Sequence, residues 1–554
     1  MASATPQGFE WRGPPAPPHP ELPIGQVLLD ALRRHAADLT KPAQIEAASG
    51  SSKTYAELLR DWVHAAAGWR SLGIGVNDTV AVFTRNSHHS YTAMMGAVLE
   101  GVTLATMVPT ANEAEARLLL SRVHIRALVC EPANIQVALN VLPAGAVLVV
   151  AAESTGVDNA GVIAVAELVR WGGTVNVDTY QAADVGDLRD HVCCIVYSSG
   201  TTGLPKGVMI TNYGLVASTL QPSWSVVPSD TVLVTSAVSW ITGIFYLIVP
   251  VIVGATRVVL TYTNESECLD VMREHKVSML FIAPARYFLL AGHVKALRKK
   301  GVVVDLSSLR VALAGGAAMS ADLQKTCSEV LGVGIVQAYG CTEHLILSAD
   351  TLPPRFGSAG KLGAGVRAKL VNIRTGEVIR DANTEGEMRV KSHSYMKGYI
   401  GDPVTTAKAV DEDGWYCTGD LAKFDEEGRV FITDRIKELL KFMNMEMTPS
   451  EIEDVLMTHP AVRAACVVGR HHDVVGDIPT AFVVLFPGQA ASEQEIKDLV
   501  KARLSANKQL RGGVFFLDEI PTSVNGKYDR KALRDRLSKL PPVSDQVLGI
   551  ASQP

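Results

Sequence analysis

Residues 197–211, YSSGTTGLPKGVMIT, follow the apolar run CCIVY and gather small and hydroxylated side chains around one lysine. Gly200, Gly203 and Gly207 let a backbone turn sharply and bring its N–H groups close to a ligand. Ser198, Ser199, Thr201 and Thr202 add hydroxyl donors and Lys206 adds a cation, a set that suits an anion such as a triphosphate. The spacing is not that of the usual GxxxxGKS/T loop, because Pro205 precedes Lys206 and Gly207 follows it. A flexible surface loop has the same composition, so the run by itself leaves both readings open.

A loop of this kind needs stiff elements to carry it. TVAVFT precedes SYTAMMGAVLEG, RALVC precedes VLVV, and VSMLFIA precedes ARYFLLAGHVKALRKK. Strand-like runs alternating with helix-like ones predict an α/β domain with largely parallel sheets. Beyond about residue 360 the texture changes to hairpins, GEMRVKS and then GRVFITD after the turn DEEG. The last hundred or so residues return to strand and helix, with AACVVG and AFVVLF as strands. A chain of 554 residues exceeds one compact core, so two or more domains are expected. The proline-rich start, residues 1–20, is predicted to be a flexible lead-in.

Composition excludes several classes. A net charge of -5 argues against a nucleic-acid binder. Eight cysteines without CxxC or Cys/His spacing argue against a disulfide scaffold or structural zinc. The longest apolar run, Ile244 to Ala255, is too short to span a bilayer and contains Pro250. No basic segment leads into an apolar core at the N-terminus, and GIASQP at the C-terminus is not a peroxisomal address, so a cytoplasmic location is expected.

YSSGTTGLPKG resembles the phosphate-loop signature of the acyl-adenylate-forming superfamily: acyl-CoA synthetases, 4-coumarate–CoA ligases, peptide-synthetase adenylation domains and firefly luciferase. Four further signatures follow in the family's order, QAYGCTEH (337–344), GWYCTGD (414–420), DRIKELLK (434–441) and NGKYDRKAL (525–533). Together they cover nearly the whole chain, which is identified as a member. The resemblance implies a large N-terminal domain, 21–433, of parallel-sheet α/β subdomains plus a β-barrel-like subdomain. A hinge at 434–437 and a small, mobile α+β lid, 438–554, complete the expected fold. ATP, magnesium and CoA are the implied cofactors.

The implied reaction joins a carboxylic acid to AMP with loss of pyrophosphate, and a thiol then displaces AMP. Both steps build negative charge on oxygens and need stabilisation of that charge above all. Lys527, Thr202, Lys206 and Glu343 are the residues carried over as catalytic, Lys527 bridging the acid carboxylate and the α-phosphate. Ser198 to Lys206, with Ser199, Gly200, Thr201 and Gly203, would hold the β- and γ-phosphates, and Glu343 would ligate magnesium beside Thr342. Tyr339 would lie against adenine, with Gly316 and Ala317 of the GGAA run and with Gln337, Ala338 and Gly340 completing that part of the site. Asp420 would accept the ribose hydroxyls, Arg435 at the hinge would reach ribose or phosphate, and Lys437 and, just beyond the hinge, Lys441 would also contact the nucleotide. In TPSE, Thr448 to Glu451 fits a capping box for a helix beginning at Pro449.

Two stretches depart from the family pattern. Met443 and Asn444 stand where many members read Lys-Gly in the thiol tunnel, and Glu446 stands where glutamine is frequent. Adenylation is untouched by this, but the CoA step loses a cationic contact. In AVSWITGIF, Trp240 stands where luciferase- and coumarate-ligase-like members show histidine or another aromatic. With Ile241, Ile244, Ala314, Gly315, Gly340, Cys341 and Leu345 the predicted wall is apolar, which points to an aliphatic or plain aromatic acid. The expected function is an acid–thiol ligase of the acyl-CoA synthetase type. A carrier-protein acceptor, luciferase-like oxidation and a non-catalytic nucleotide-binding homologue are the alternatives. Retention of Lys527, Glu343, Asp420 and the full loop argues against the last.

Overall fold

Short apolar runs, most of them followed by a helix, build two sheets with parallel centres. The computed structural model describes residues 10–156, 161–198, 205–221, 226–261, 264–442, 445–472, 475–522, 527–541 and 543. The first sheet runs Gly398–Tyr399, Lys206–Thr211, Val192–Ser198, Thr103–Thr106, Thr79–Phe83, Ala127–Cys130, Val147–Val150, Val162–Ala164. From Val192–Ser198 onward its strands are parallel, and the first two pair antiparallel. The second runs Lys361–Leu362, Leu345–Ala349, Ile335–Cys341, Val311–Ala314, Met279–Ile282, Thr231–Val234, Thr256–Val259, Pro42–Glu46, Ser52–Thr54. Its interior is parallel and both edges are antiparallel.

Period-two alternation decides which core each side chain enters. Val80 and Val82 of the first sheet share one core with Val232 and Val234 of the second. Ala81 and Phe83 enter a separate core, and Leu233 a third. The helix Ile241–Val253 is apolar all round and accordingly buried. It absorbs Pro250 near its end: Tyr55 Oη donates to the Pro250 carbonyl at 3.2 Å and to that of Ala255 at 2.7 Å, and Gly254, at φ 83°, closes the helix.

The chain divides into two compact units, one of residues 1–369, 389–417 and 424–431, the other of 370–388, 418–423 and 432–554. The second thus takes in two segments upstream of 434–437. Its sheet orders Met445–Met447, Leu440–Phe442, Gly476–Leu485, Val462–His472, with Val514–Phe516 parallel to Gly476–Leu485. Ala465, Val467, Ala481 and Val483 face one core, with Ile452 and Ile496 from two helices. Cys466, Val468, Phe482 and Val484 face another, with Leu533 and Leu537 from the helix Arg530–Leu537.

The helix Pro449–Met457 begins where expected, but the capping box does not form. Thr448 makes no side-chain cap. Asp434 supplies it from a distance: its Oδ2 accepts from Ser450 N at 3.3 Å and from Ser450 Oγ at 2.8 Å. Glu451 is taken by Lys508 Nζ at 2.6 Å instead of turning back to the helix start. Among the described residues no helix is long and apolar enough to cross a membrane.

Candidate active site

The strands on either side of the glycine- and hydroxyl-rich run pair antiparallel. Val192–Ser198 pairs with Lys206–Thr211, and Lys206 lies opposite Ser198, so the two ends of the loop face each other across the register. Ser199, Gly200, Thr201, Thr202 and Gly203 lie outside the described residues. Gly207 is not a turn residue. It pairs with Tyr197 in the strand, and a Cβ there would stand 2.7 Å from Ile400 Cγ2. Its lack of a side chain leaves room for Ile400, next to the segment Gly398–Tyr399 that pairs with this strand.

A hairpin delivers Glu343. Cys341 pairs with Leu345, leaving Thr342, Glu343 and His344 as a three-residue turn. A bulge at Tyr339/Gly340 and a left-handed Leu345, φ 60°, shape it. A Cβ on Gly340 would lie 2.1 Å from the Leu345 carbonyl oxygen, so only glycine fits there. Glu343 is buried, and its Oε1 accepts from Tyr399 Oη at 2.9 Å and Ser198 Oγ at 3.3 Å. Lys206 Nζ sits 5.0 Å from the centroid of the Tyr399 ring. Ser198, Lys206 and Glu343, distant in sequence, thus converge on Tyr399. Burial, together with the adjacent carboxylate, pushes the Tyr399 phenol well above its ordinary range. His344 is buried between Tyr395 and Tyr416, ring centroids 4.7 and 5.0 Å away, with Nδ1 2.7 Å from Ser392 Oγ. Burial pulls this imidazole down to about 3, so it is neutral.

The expected adenine contacts separate into two kinds. Gly316 and Ala317 are exposed on the turn after Val311–Ala314, with Gly316 at φ 87° in open space, while Tyr339 is half-buried and Gly340 exposed. Ala338 and Thr342 are half-buried beside them. Gln337 departs from this group. Its Nε2 donates to Met319 O and Gln324 Oε1, both at 3.0 Å, and its Oε1 accepts from Met319 N at 2.9 Å. With both amide hydrogens spent on protein, the Gln337 side chain is a bracket that fixes the 315–319 turn.

The acid wall is redrawn in one respect. Ile244 and Leu345 are buried in the core shared by the two sheets, whereas Ala314 enters the core on the other face of its strand. The side chain of Ala314 therefore cannot share a wall with theirs. Phe281, which faces the core shared by the two sheets, lies against Gly315: a Cβ there would meet the Phe281 ring at 3.0 Å. Phe281 also lies 5.3 Å from Tyr246. Trp240 is half-buried at the N-cap of the helix Ile241–Val253, and Cys341 is half-buried.

The remaining candidates lie in the second unit. Asp420 belongs to the strand Tyr416–Phe424 and is buried, with Arg435 Nε 3.0 Å from its Oδ1. Arg435 ends the strand Val430–Arg435. Lys437, in the short turn Ile436–Glu438, and Lys441, in Leu440–Phe442, are exposed. Lys527 is half-buried next to a bridge between Thr522 and Tyr528. Just beyond it Asp529 caps the helix Arg530–Leu537 through Ala532 N at 2.9 Å, and Arg530 pairs with Glu453 at 2.6 Å. The lysine thus stands on an anchored base. Met443 and Asn444 lie outside the described residues.

Among the described residues no group of three or more His, Cys, Asp and Glu side chains could hold a metal. Magnesium needs no such cage when substrate phosphates complete its shell, and one carboxylate then suffices. Glu343 fits that role: its Oε1 is occupied by hydroxyls, and among the described residues its Oε2 takes no protein hydrogen bond.

Two doubly wound sheets, a glycine–hydroxyl hairpin loop and a carboxylate at its mouth are the architecture of adenylate-forming enzymes. The model of the AMP-binding enzyme family matches residues 32–400, and that of the AMP-binding enzyme C-terminal domain matches residues 451–527. 4-Coumarate–CoA ligase 3 of Oryza sativa subsp. japonica is 31% identical over 520 residues, covering 90% of each chain. Luciferin 4-monooxygenase of Photinus pyralis is 30% identical, covering 95% of this chain and 96% of that one. The structure of an anthranilate CoA ligase in complex with anthranoyl-AMP superposes with a TM-score of 0.82 at 25% identity, covering 93% of this chain and 98% of that one. The chain belongs to the AMP-binding enzyme family, within the acyl-adenylate-forming superfamily.

Proposed function

We propose that this protein activates a carboxylic acid with ATP and passes the acyl group to a thiol, CoA. A carboxylate oxygen attacks the α-phosphorus, the bond to the β-phosphate oxygen breaks, and pyrophosphate leaves. The thiol sulfur then attacks the acyl carbon, and AMP leaves as the thioester forms. The observation that carries the reading is the convergence of Ser198, Lys206 and Glu343 at the mouth of the loop.

Each residue has a defined task. Lys206 and the loop it ends hold the β- and γ-phosphates, and Glu343 would hold a magnesium ion, which would supply neutralisation of phosphate charge. Asp420 accepts the ribose hydroxyls, with Arg435 beside it balancing the buried charge. Tyr339 lies against adenine over a turn that Gln337 fixes. Lys527 bridges the acid carboxylate and the α-phosphate, where the transition state gains negative charge. Ile244, Leu345, Phe281 and Trp240 make the acid wall apolar, so the acid is aliphatic or plainly aromatic. The C-terminal part carrying Lys527, residues 438–554, turns about 434–437 between the two half-reactions, as domain closure about few residues allows.

The test is exchange of labelled pyrophosphate into ATP across a panel of acids, with and without CoA. Acid-dependent exchange and CoA-dependent AMP release are expected. AMP release at the same rate without CoA would assign a different acceptor, such as a carrier protein or oxygen. No exchange with any acid would overturn the adenylation reading.

A further inference from the structure

Tyr399 stands outside every role assigned so far, yet it touches both charges of the phosphate end. Its hydroxyl donates to Glu343 Oε1 at 2.9 Å, and its ring face lies 5.0 Å from Lys206 Nζ. The backbone around it is stitched to the same two elements. Tyr399 pairs with Val208, two residues beyond Lys206, and Ile400 N donates to Gly207 O at 2.8 Å. Met396 N donates to Glu343 O, also at 2.8 Å, so Glu343 is held by main chain and side chain from one segment.

The arrangement answers an electrostatic problem. An ammonium and a carboxylate facing one pocket attract each other, more strongly where water is scarce. If they joined, neither would be available to phosphate or cation. No Lys206–Glu343 ion pair forms within 4.0 Å; a phenol stands between them, offering its donor to the anion and its π face to the cation.

We propose that Tyr399 is a positioning residue that holds Glu343 and Lys206 apart before nucleotide arrives, leaving Glu343 Oε2 for the cation and Lys206 for the phosphates. The inference rests on the adenylation reading. It is tested by measuring ATP binding to the full-length protein by calorimetry, with magnesium and with chelator. Tyr399→Phe keeps the ring and removes the donor. The tightening of ATP binding by magnesium should fall about tenfold, as loss of a hydrogen bond to a charged group predicts, with metal-free binding unchanged. Tyr399→Leu removes the ring as well, and metal-free binding should then weaken several-fold because Lys206 loses its seat.

A purely structural tyrosine would lower the melting temperature and leave the magnesium dependence intact, and that outcome overturns the proposal. So would phenylalanine and leucine variants with identical binding, since the ring would then do nothing. Should the variants fail to fold, a crystal of the wild-type protein with magnesium and ATP decides. Tyr399 Oη still on Glu343 Oε1 supports the proposal, and a hydroxyl turned away from Glu343 sinks it. A wild-type protein that binds no nucleotide fails the adenylation reading and this inference together. Wild-type binding with full magnesium coupling in Tyr399→Phe fails this inference alone.

Discussion

Arg435 Nε lies 3.0 Å from Asp420 Oδ1, and the two differ sharply in exposure: the carboxylate side chain is 7% accessible and the guanidinium side chain 50%. Burying a carboxylate is costly unless a cation and hydrogen-bond donors compensate it. Arg435 supplies that cation beside Asp420. Asp420→Ala should cut pyrophosphate exchange about a hundredfold, a loss comparable to removing one transition-state contact. Arg435→Ala should raise the KM for ATP about tenfold, and Arg435→Lys should recover only part of it, because an ammonium lacks the planar fork. Steady-state exchange kinetics in ATP would measure both, and wild-type constants in Asp420→Ala would remove the residue from the site.

Lys527→Ala should abolish exchange by about a hundredfold or more. The thioester-forming step, started from chemically prepared acyl-adenylate, should survive, since the lysine acts where the acid carboxylate meets the α-phosphate in the first half-reaction. Equal loss of both half-reactions would assign Lys527 to folding of its unit.

The cap of the helix Pro449–Met457 offers a comparison of two substitutions in one protein. Ser450→Ala removes the hydroxyl that donates to Asp434 Oδ2, leaving only the longer bond from its backbone N, and should cost about 1 kcal/mol in denaturant unfolding of its unit, the usual size of a hydrogen bond. Thr448→Ala should cost less than about 0.5 kcal/mol, because its side chain caps nothing. A reversed order would restore the local capping box.

Gly340→Ala drives a methyl against the Leu345 carbonyl. The hairpin bearing Glu343 must then distort, with a loss of about 2 kcal/mol or more in stability and of most exchange activity. Calorimetric melting and exchange on one preparation would detect both. An unchanged melt would show that the turn has room to spare.

Stability should also fall in acid through His191. Asn212 Nδ2 donates to its Nδ1 at 2.7 Å, and its Nε2 donates to Gly101 O at 2.9 Å, which fits the neutral ring. Burial, the largest influence, pulls its pKa below the ordinary 6.5. The unfolded chain then binds the proton more readily, so this contribution is fully present above about pH 6.5 and is lost as pH falls toward the folded value. The melting temperature should drop from pH 7.5 to 5, with a shallower slope in His191→Gln. Equal slopes would show that the ring titrates alike folded and unfolded.

Local pattern carried much of the architecture. The strands Thr79–Phe83, Ala127–Cys130 and Met279–Ile282 and the start of the helix at Pro449 follow from apolar runs and from proline's fixed φ, which act over a few residues. The family was legible because five signatures stood in order, and Ser198, Lys206 and Glu343 could be named from them without any view of their convergence. What the motifs assign, though, is chemistry, and they do not say which way a side chain faces.

Direction was decided by tertiary structure in each case where expectation and structure part. Asp420 sits inside the strand Tyr416–Phe424, buried beside Arg435, a placement that the motif GWYCTGD does not announce. Ala314 lies on the far face of its strand because alternation along Val311–Ala314 is fixed by which core Leu313 enters. Gln337 is claimed by Met319 and Gln324, partners named by no local signal. Thr448 is idle because Asp434, sixteen residues before Ser450, satisfies the helix start first. Tyr399 had no sequence signal beyond the dipeptide of its own strand, too short for any period to register. The sequence by itself determined the elements, the family and the charged groups available, because those depend on local propensity and residue type. Only the folded structure decided which groups meet, because an unpaired buried donor or charge is settled by whatever the whole chain brings within about 3 Å of it.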